Sequence, residues 1–92
     1  MEWRDIPGSR GQYEISNTGI VRNKRTQRIL KGFVWKSGLK GINLGGHLRK
    51  TYAVGRLVAM AFLGASEKDV VRHKGDIHDN SPENLYVEEY YD

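Results

Sequence analysis

Between Gln12 and Asn23 the chain alternates apolar and polar positions, and the alternation breaks at a turn-forming triplet. In "QYEIS" the residues Tyr13 and Ile15 lie between polar neighbours, "NTG" follows, and "IVRN" resumes the pattern. This predicts a β-hairpin, with Asn17 and Gly19 as the residues that tolerate positive φ. "RILKGFVWK" and "KGINL" continue the strand pattern, with "SGLKG" and "GGHLRK" as glycine-rich turns, so the first half reads as one small antiparallel sheet. The period then changes. In "TYAVGRLVAMAFLG" the residues Val54, Leu57, Val58, Ala61 and Phe62 recur at helical spacing, and Gly64 closes the run. Met60 and Phe62 need only a core to explain them. A short strand is expected over Val70 to His73, then a loop carrying Gly75, Asp76, Asp79, Asn80 and Pro82, then a strand over "NLYVEEY". The fold class is therefore α+β: a small antiparallel N-terminal sheet followed by a helix and a hairpin.

At 92 residues the chain suits one compact domain with a modest core. No apolar run approaches the roughly 18 residues of a membrane span, so no membrane partner is expected. "MEWRDIPGSR" has no apolar segment of a secretory leader, which makes the cytoplasm the expected compartment. With no cysteine, disulfides and thiolate metal sites are excluded, and a metal would need oxygen and imidazole ligands, suiting Mg²⁺, Mn²⁺ or Zn²⁺. Net charge is +4, but its distribution says more. From Ile15 to Ser66 there is no Asp or Glu, while Arg22, Lys24, Arg25, Arg28, Lys31, Lys36, Lys40, Arg49, Lys50 and Arg56 all fall in that interval. Excluding acids from half the chain favours a polyanion-binding surface over an ordinary solvated face. The expected partner is a nucleic acid or nucleotide, with phosphate contacts from Arg22, Lys24, Arg25, Arg28, Arg49, Lys50, Arg56 and Arg72.

The densest chemistry lies in "VVRHKGDIHDNSPENLYV", with two of the three histidines, a group of carboxylates and two asparagines. These residues carry a resemblance. "EWRDIPGSRGQYEISNTGIVRNKRTQRILK" resembles the NUMOD4 motif, a DNA-binding module that accompanies phage and intron homing endonucleases. "YAVGRLVAMAFLG" followed by "VVRHKGDIHDNSPENLYV" is similar to the HNH domain that follows it in those proteins. The resemblance implies a basic NUMOD4-like β region over residues 1–50 and an HNH-like, truncated ββα-metal region over 51–92, folded as one unit. It also implies roles: His73 as general base activating water, Asn84 as the loop asparagine holding the hairpin and the base, and Asn80 as a structural loop asparagine.

The chain departs from the family pattern at four places. Gly55 stands where the family usually has histidine before "RLVA". Arg72 stands where an Asp or Asn next to the base can bind the metal, and an arginine cannot coordinate a cation. The loop "HKGDIHDN" is one residue short, and the sequence ends at Asp92, before the position of the family's last metal ligand. Asp76, His78, Asp79 and Asp92 are the donors available to replace those ligands for Mg²⁺ or Mn²⁺, although Asp76 and Asp79 serve equally as turn residues bonding local backbone. Arg72 itself is read either as a phosphate clamp or as the surface partner of Glu88. Three functions are compatible with this pattern. One is a phage-type HNH-related protein that binds a phosphodiester ligand with a degenerate metal site. Another is an active metal-dependent nicking enzyme, completed across a homo-oligomer. The third is an anti-defence factor that binds a host immune protein or captures or cleaves a nucleotide signal.

Overall fold

A computed structural model describes residues 1–88. Strands β1 (Trp3–Asp5), β2 (Tyr13–Ser16) and β3 (Val21–Asn23) form one antiparallel sheet, with Trp3 opposite Ser16 and Ile15 opposite Val21. Strands β4 (Phe33–Val34), β5 (Lys40–Leu44) and β6 (Lys50–Ala53) form a second, with Ile42 opposite Tyr52. Helix α1 (Val54–Phe62) leaves directly from β6, and a hairpin of β7 (Val70–His73) and β8 (Leu85–Glu88) follows, with a short 3₁₀ turn over Pro82–Asn84. Among the described residues no helix is long and apolar enough to cross a membrane.

The apolar stripe of α1 explains its place at the centre. Val54, Leu57 and Val58 are fully buried and meet Ile15, Val21, Ile42, Leu44 and Leu85 from all three sheets in one cluster. Each fully buried side chain of this size contributes about 1.5–3 kcal/mol. The helix stops where expected: Gly64 takes φ +72°, and the amides of Leu63 and Ala65 both reach the Ala59 carbonyl, at 2.9 and 3.1 Å. Arg4 on β1 closes the same end. Its guanidinium donates to the Ala61 carbonyl at 3.3 Å and lies 4.6 Å from the centre of the Phe62 ring, a cation placed at the negative end of the helix.

Three sequence expectations need correction. The first half is two three-stranded sheets rather than one, because after β3 only a bridge from Arg22 to Ile29 continues the pairing before the chain turns off to start β4. Thr51 to Ala53 belong to β6, not the helical run. Their register against Asn43 and Gly41 outweighs the local pattern, and the period changes at Val54. In the first hairpin only Gly19 takes positive φ, +88°, whereas Asn17 uses its side-chain oxygen to accept the Glu2 amide at 3.2 Å. Strand β1 was not expected, since three residues are too few to show a period. The last part of the strand expected over "NLYVEEY" lies outside the described residues.

Candidate phosphodiester site

His73 is the last residue of β7 and sits opposite Leu85, which is 2% exposed and anchors this end of the hairpin in the core. From there the imidazole reaches Asn80, with Nε2 and Oδ1 2.8 Å apart. An amide oxygen only accepts, so Nε2 is the donor in this bond, and in the neutral ring the lone pair is then on Nδ1. Asn80 is itself buried and can hold that tautomer. Its partner role differs from the sequence expectation. Asn80, expected as a structural loop asparagine, is the one that meets His73, while Asn84, expected to hold both the hairpin and the base, bonds the loop at the hairpin end.

The Asn84 side chain accepts the Gly75 amide at 3.1 Å and donates to the carbonyls of Asp76 and Asp79 at 2.7 and 2.8 Å. The Lys74 amide also bonds the Asn84 backbone oxygen at 2.7 Å. These bonds fold residues 74–84 back over the hairpin end and deliver Asn80 to His73. Beside the pair lies a small cavity of about 90 Å³, walled by His73, Asn80, Gly55, Ala53, Leu39 and Lys40. Gly55 forms its floor: a Cβ there would lie 3.0 Å from the Asn80 oxygen and 3.5 Å from His73 Nε2. Lys40 belongs to the basic run, but only the pairing of β5 brings it beside the histidine, and nothing in the sequence separated it from the other cations.

Asp76 and Asp79 behave as turn residues. Asp76 Oδ1 accepts the His78 amide at 2.9 Å, and Asp79 Oδ1 accepts the Ser81 amide at 3.0 Å. The bonds from Ser81 hold the Asp79 carboxyl below its ordinary range, with a smaller contribution from the His73 charge. Among the described residues no three His, Asp or Glu side chains converge to hold a metal ion, so Asp76, His78 and Asp79 do not assemble the site their spacing suggested. Asp92 lies outside the described residues. Arg72 stands next to the base and pairs with Glu88, Nε to Oε1 3.2 Å, both side chains about half exposed.

The cations named from sequence separate into two groups. Arg22 bonds the buried Glu14 at 2.5 Å and stacks 3.6 Å from the centre of the Trp3 ring, tying β3 to β2 and β1. Arg56 donates to the carbonyls of Ser66, Glu67 and Asp69 at 3.3, 3.1 and 2.7 Å, holding the segment between α1 and β7. Lys24 pairs with Asp5 at 2.8 Å, and that hydrogen bond raises its pKa. These three side chains are used by the fold. Among the described residues Arg25, Arg28, Lys31, Lys36, Lys40, Arg49 and Lys50 form no ion pair.

The NUMOD4 motif matches residues 1–45. DNA endonuclease I-HmuI of Bacillus phage SP01 is 43% identical over 83 residues, 88% of this chain and 48% of that protein. An uncharacterized HNH endonuclease of Acanthamoeba polyphaga mimivirus is 41% identical over 76 residues, 79% of this chain and 23% of that one. The fold superposes on the solved structure describing DNA binding and cleavage by the HNH homing endonuclease I-HmuI with a TM-score of 0.81 and 41% identity, covering 95% of this chain and 52% of that one. The chain thus spans about half the length, or less, of the relatives it matches.

Proposed function

Because this chain carries a NUMOD4 motif and is homologous to the HNH homing endonucleases along most of its length, we propose that it binds DNA through backbone phosphates and presents one phosphodiester to His73. The observation that carries this reading is the His73–Asn80 pair at a cavity that Lys40 helps to line, in a chain whose exposed cations Arg25, Arg28, Lys31, Arg49 and Lys50 form no ion pair among the described residues. Arg25, Arg28, Lys31, Arg49 and Lys50 supply phosphate contacts; Nδ1 of His73 accepts a proton from the water that attacks phosphorus, the P–O bond to one sugar oxygen breaks and that oxygen leaves to take a proton from solvent, and Lys40 on the cavity wall is available to the developing negative charge. Neutralising about 4–6 phosphates makes log K fall against log salt with a slope of about −4 to −5. A gel-shift or anisotropy titration from low to moderate salt tests this. A flat response, or no loss on replacing Arg25, Arg28 and Lys31 together by Ala, removes the electrostatic argument.

The metal-ligand positions are degenerate in this reading. The cation-binding donors expected beside the base are replaced by Arg72 or engaged in turns, and the described residues do not fit Mg²⁺ or Mn²⁺. Arg72 then acts as a fixed charge. Its pair with Glu88 is half exposed, and such pairs contribute about 0–1 kcal/mol, so a phosphate can displace Glu88 at little cost. Cleavage is accordingly expected to fall on the order of 10³-fold below that of an intact site. The intact tautomer of His73 favours a second reading, an active nicking enzyme. Incubating supercoiled plasmid with Mg²⁺, Mn²⁺ or EDTA separates the two: robust nicking abolished by both EDTA and His73→Ala supports the second.

A further inference from the structure

The outer face of the second sheet carries a feature that the His73 site does not use. Phe33 and Trp35 protrude from edge strand β4 and the residue after it, each more than a third exposed, with ring centres 5.2 Å apart and planes at 88°. Both rings lie across Gly41. A Cβ there would come within 2.7 Å of Trp35 and 2.9 Å of Phe33. Gly41 has no positive φ to explain it, so what it supplies is the seat for this aromatic pair. The rest of the face is low and flat: Asn43 and Thr51 are exposed and hydrogen-bonded to one another, while Ile42, Leu44 and Tyr52 point into the core.

Register connects this face to the candidate site. Phe33 is opposite Gly41, and Gly41 is opposite Ala53, which walls the His73 cavity. The rings lie over Gly41, one strand spacing or about 4.8 Å from that wall. A duplex strand rises about 3.4 Å per stacked nucleotide, so a base on the pair lies within a few nucleotides of the cavity. Lys36 follows Trp35 directly and Lys31 precedes Phe33 by two residues, both exposed, and the segment from Ile15 to Ser66 contains no acid to repel a phosphate.

We propose that Phe33 and Trp35 form a base-stacking platform that takes an unstacked DNA base within a few nucleotides of the phosphodiester presented to His73. The occupant is a nucleobase. Its apolar face is bordered by phosphates, and these rings stand in an acid-free segment with the exposed Lys36 next to Trp35 in sequence. Stacking on aromatic side chains tolerates any sequence, but the cost of unstacking does not, so pyrimidine–purine steps and mismatches at that position are preferred. This inference rests on the DNA-binding reading above, and its test distinguishes the two.

The full chain is titrated with a duplex, the same duplex carrying one mismatch, and a duplex with 2-aminopurine at successive positions. Variants are Trp35→Ala, Phe33→Ala and Gly41→Ala, with Trp35→Phe as the conservative control and far-UV circular dichroism as the check on folding. The expected result is a loss of about 5- to 100-fold for folded Trp35→Ala, preservation by Trp35→Phe, and an unchanged salt slope, since no charge is removed. The 2-aminopurine signal should change on binding at one position and lose that change in the alanine variants. If the parent binds DNA and the folded variants bind equally well with the same fluorescence, the platform is overturned while the DNA reading stands. If the parent binds no DNA, both fail. A concentration-dependent dimer in sedimentation that Trp35→Ala dissociates would make the patch a self-interface and likewise overturn the proposal.

Discussion

Asn84→Ala should open the loop that delivers Asn80 to His73. The Asn84 side chain makes three hydrogen bonds, to Gly75, Asp76 and Asp79, and a typical bond contributes a net 0.5–1.5 kcal/mol. Because Gly75, Asp76 and Asp79 are exposed, water takes over some of these partners and the lower half of the sum applies, about 1.5–2.5 kcal/mol. For a domain of this size that lowers Tm by about 6–20 °C. Asn84→Asp is the sharper test. It keeps the acceptor for the Gly75 amide but turns a carboxylate oxygen toward two carbonyls, so the folded state raises the pKa of the new acid. The variant's penalty is therefore present above that raised value and relieved as pH falls through it, when a protonated oxygen can again donate. Urea unfolding at pH 7 and near pH 5, with amide exchange of Gly75, measures both effects. If Asn84→Ala leaves Tm within about 2 °C of the parent and Gly75 protection unchanged, the loop is held by something other than this side chain.

Gly55→Ala should gain about 0.5–1 kcal/mol of helix propensity and lose a similar amount by pressing on Asn80, so stability changes little while the His73–Asn80 bond breaks. Imidazole ¹⁵N spectra should show His73 leaving the Nε2-protonated tautomer, and an unchanged spectrum refutes the close approach. Arg22→Ala leaves Glu14 buried without its cation and should cost about 2–3 kcal/mol, largely recovered by adding Glu14→Gln; equal losses in the single and double variants would contradict a buried pair. For Asp79 the folded pKa lies below its ordinary 3.8, so its stabilising contribution is complete above that value and disappears as pH falls through the lower folded one. Carboxyl NMR should place its midpoint below 3.8, and Ser81→Ala should raise it only partly, because the larger contribution comes from the Ser81 backbone amide. A midpoint at or above 3.8 in the parent would refute the assignment.

What the sequence made legible depends on how far each signal travels along the chain. The helix and the hairpin partners announce themselves over short stretches, by a period or by a turn between two runs, and within the described residues they lie where the pattern placed them, apart from Thr51 to Ala53, which pair into β6. The division into two sheets depends on where a coil of several residues leads, and no local period records that. Charge is legible as a count but not as an exposure. Arg22, Arg56 and Arg28 look alike in an acid-free run, yet the first stacks on Trp3 and pairs with Glu14, the second donates to three carbonyls, and the third forms no ion pair among the described residues. Glu14 lies one residue before the acid-free interval and Asp69 three residues beyond it, so its edges contribute partners that fold back onto its cations. The same reasoning separates the two asparagines. Both are loop residues by composition, and only the distance from β7 to the returning loop decides that Asn80 meets the imidazole while Asn84 meets the backbone that carries it. The His73–Asn80 pair is therefore positioned by one hairpin and one helix glycine, and which cations stay without an ion pair among the described residues is decided by the sheets.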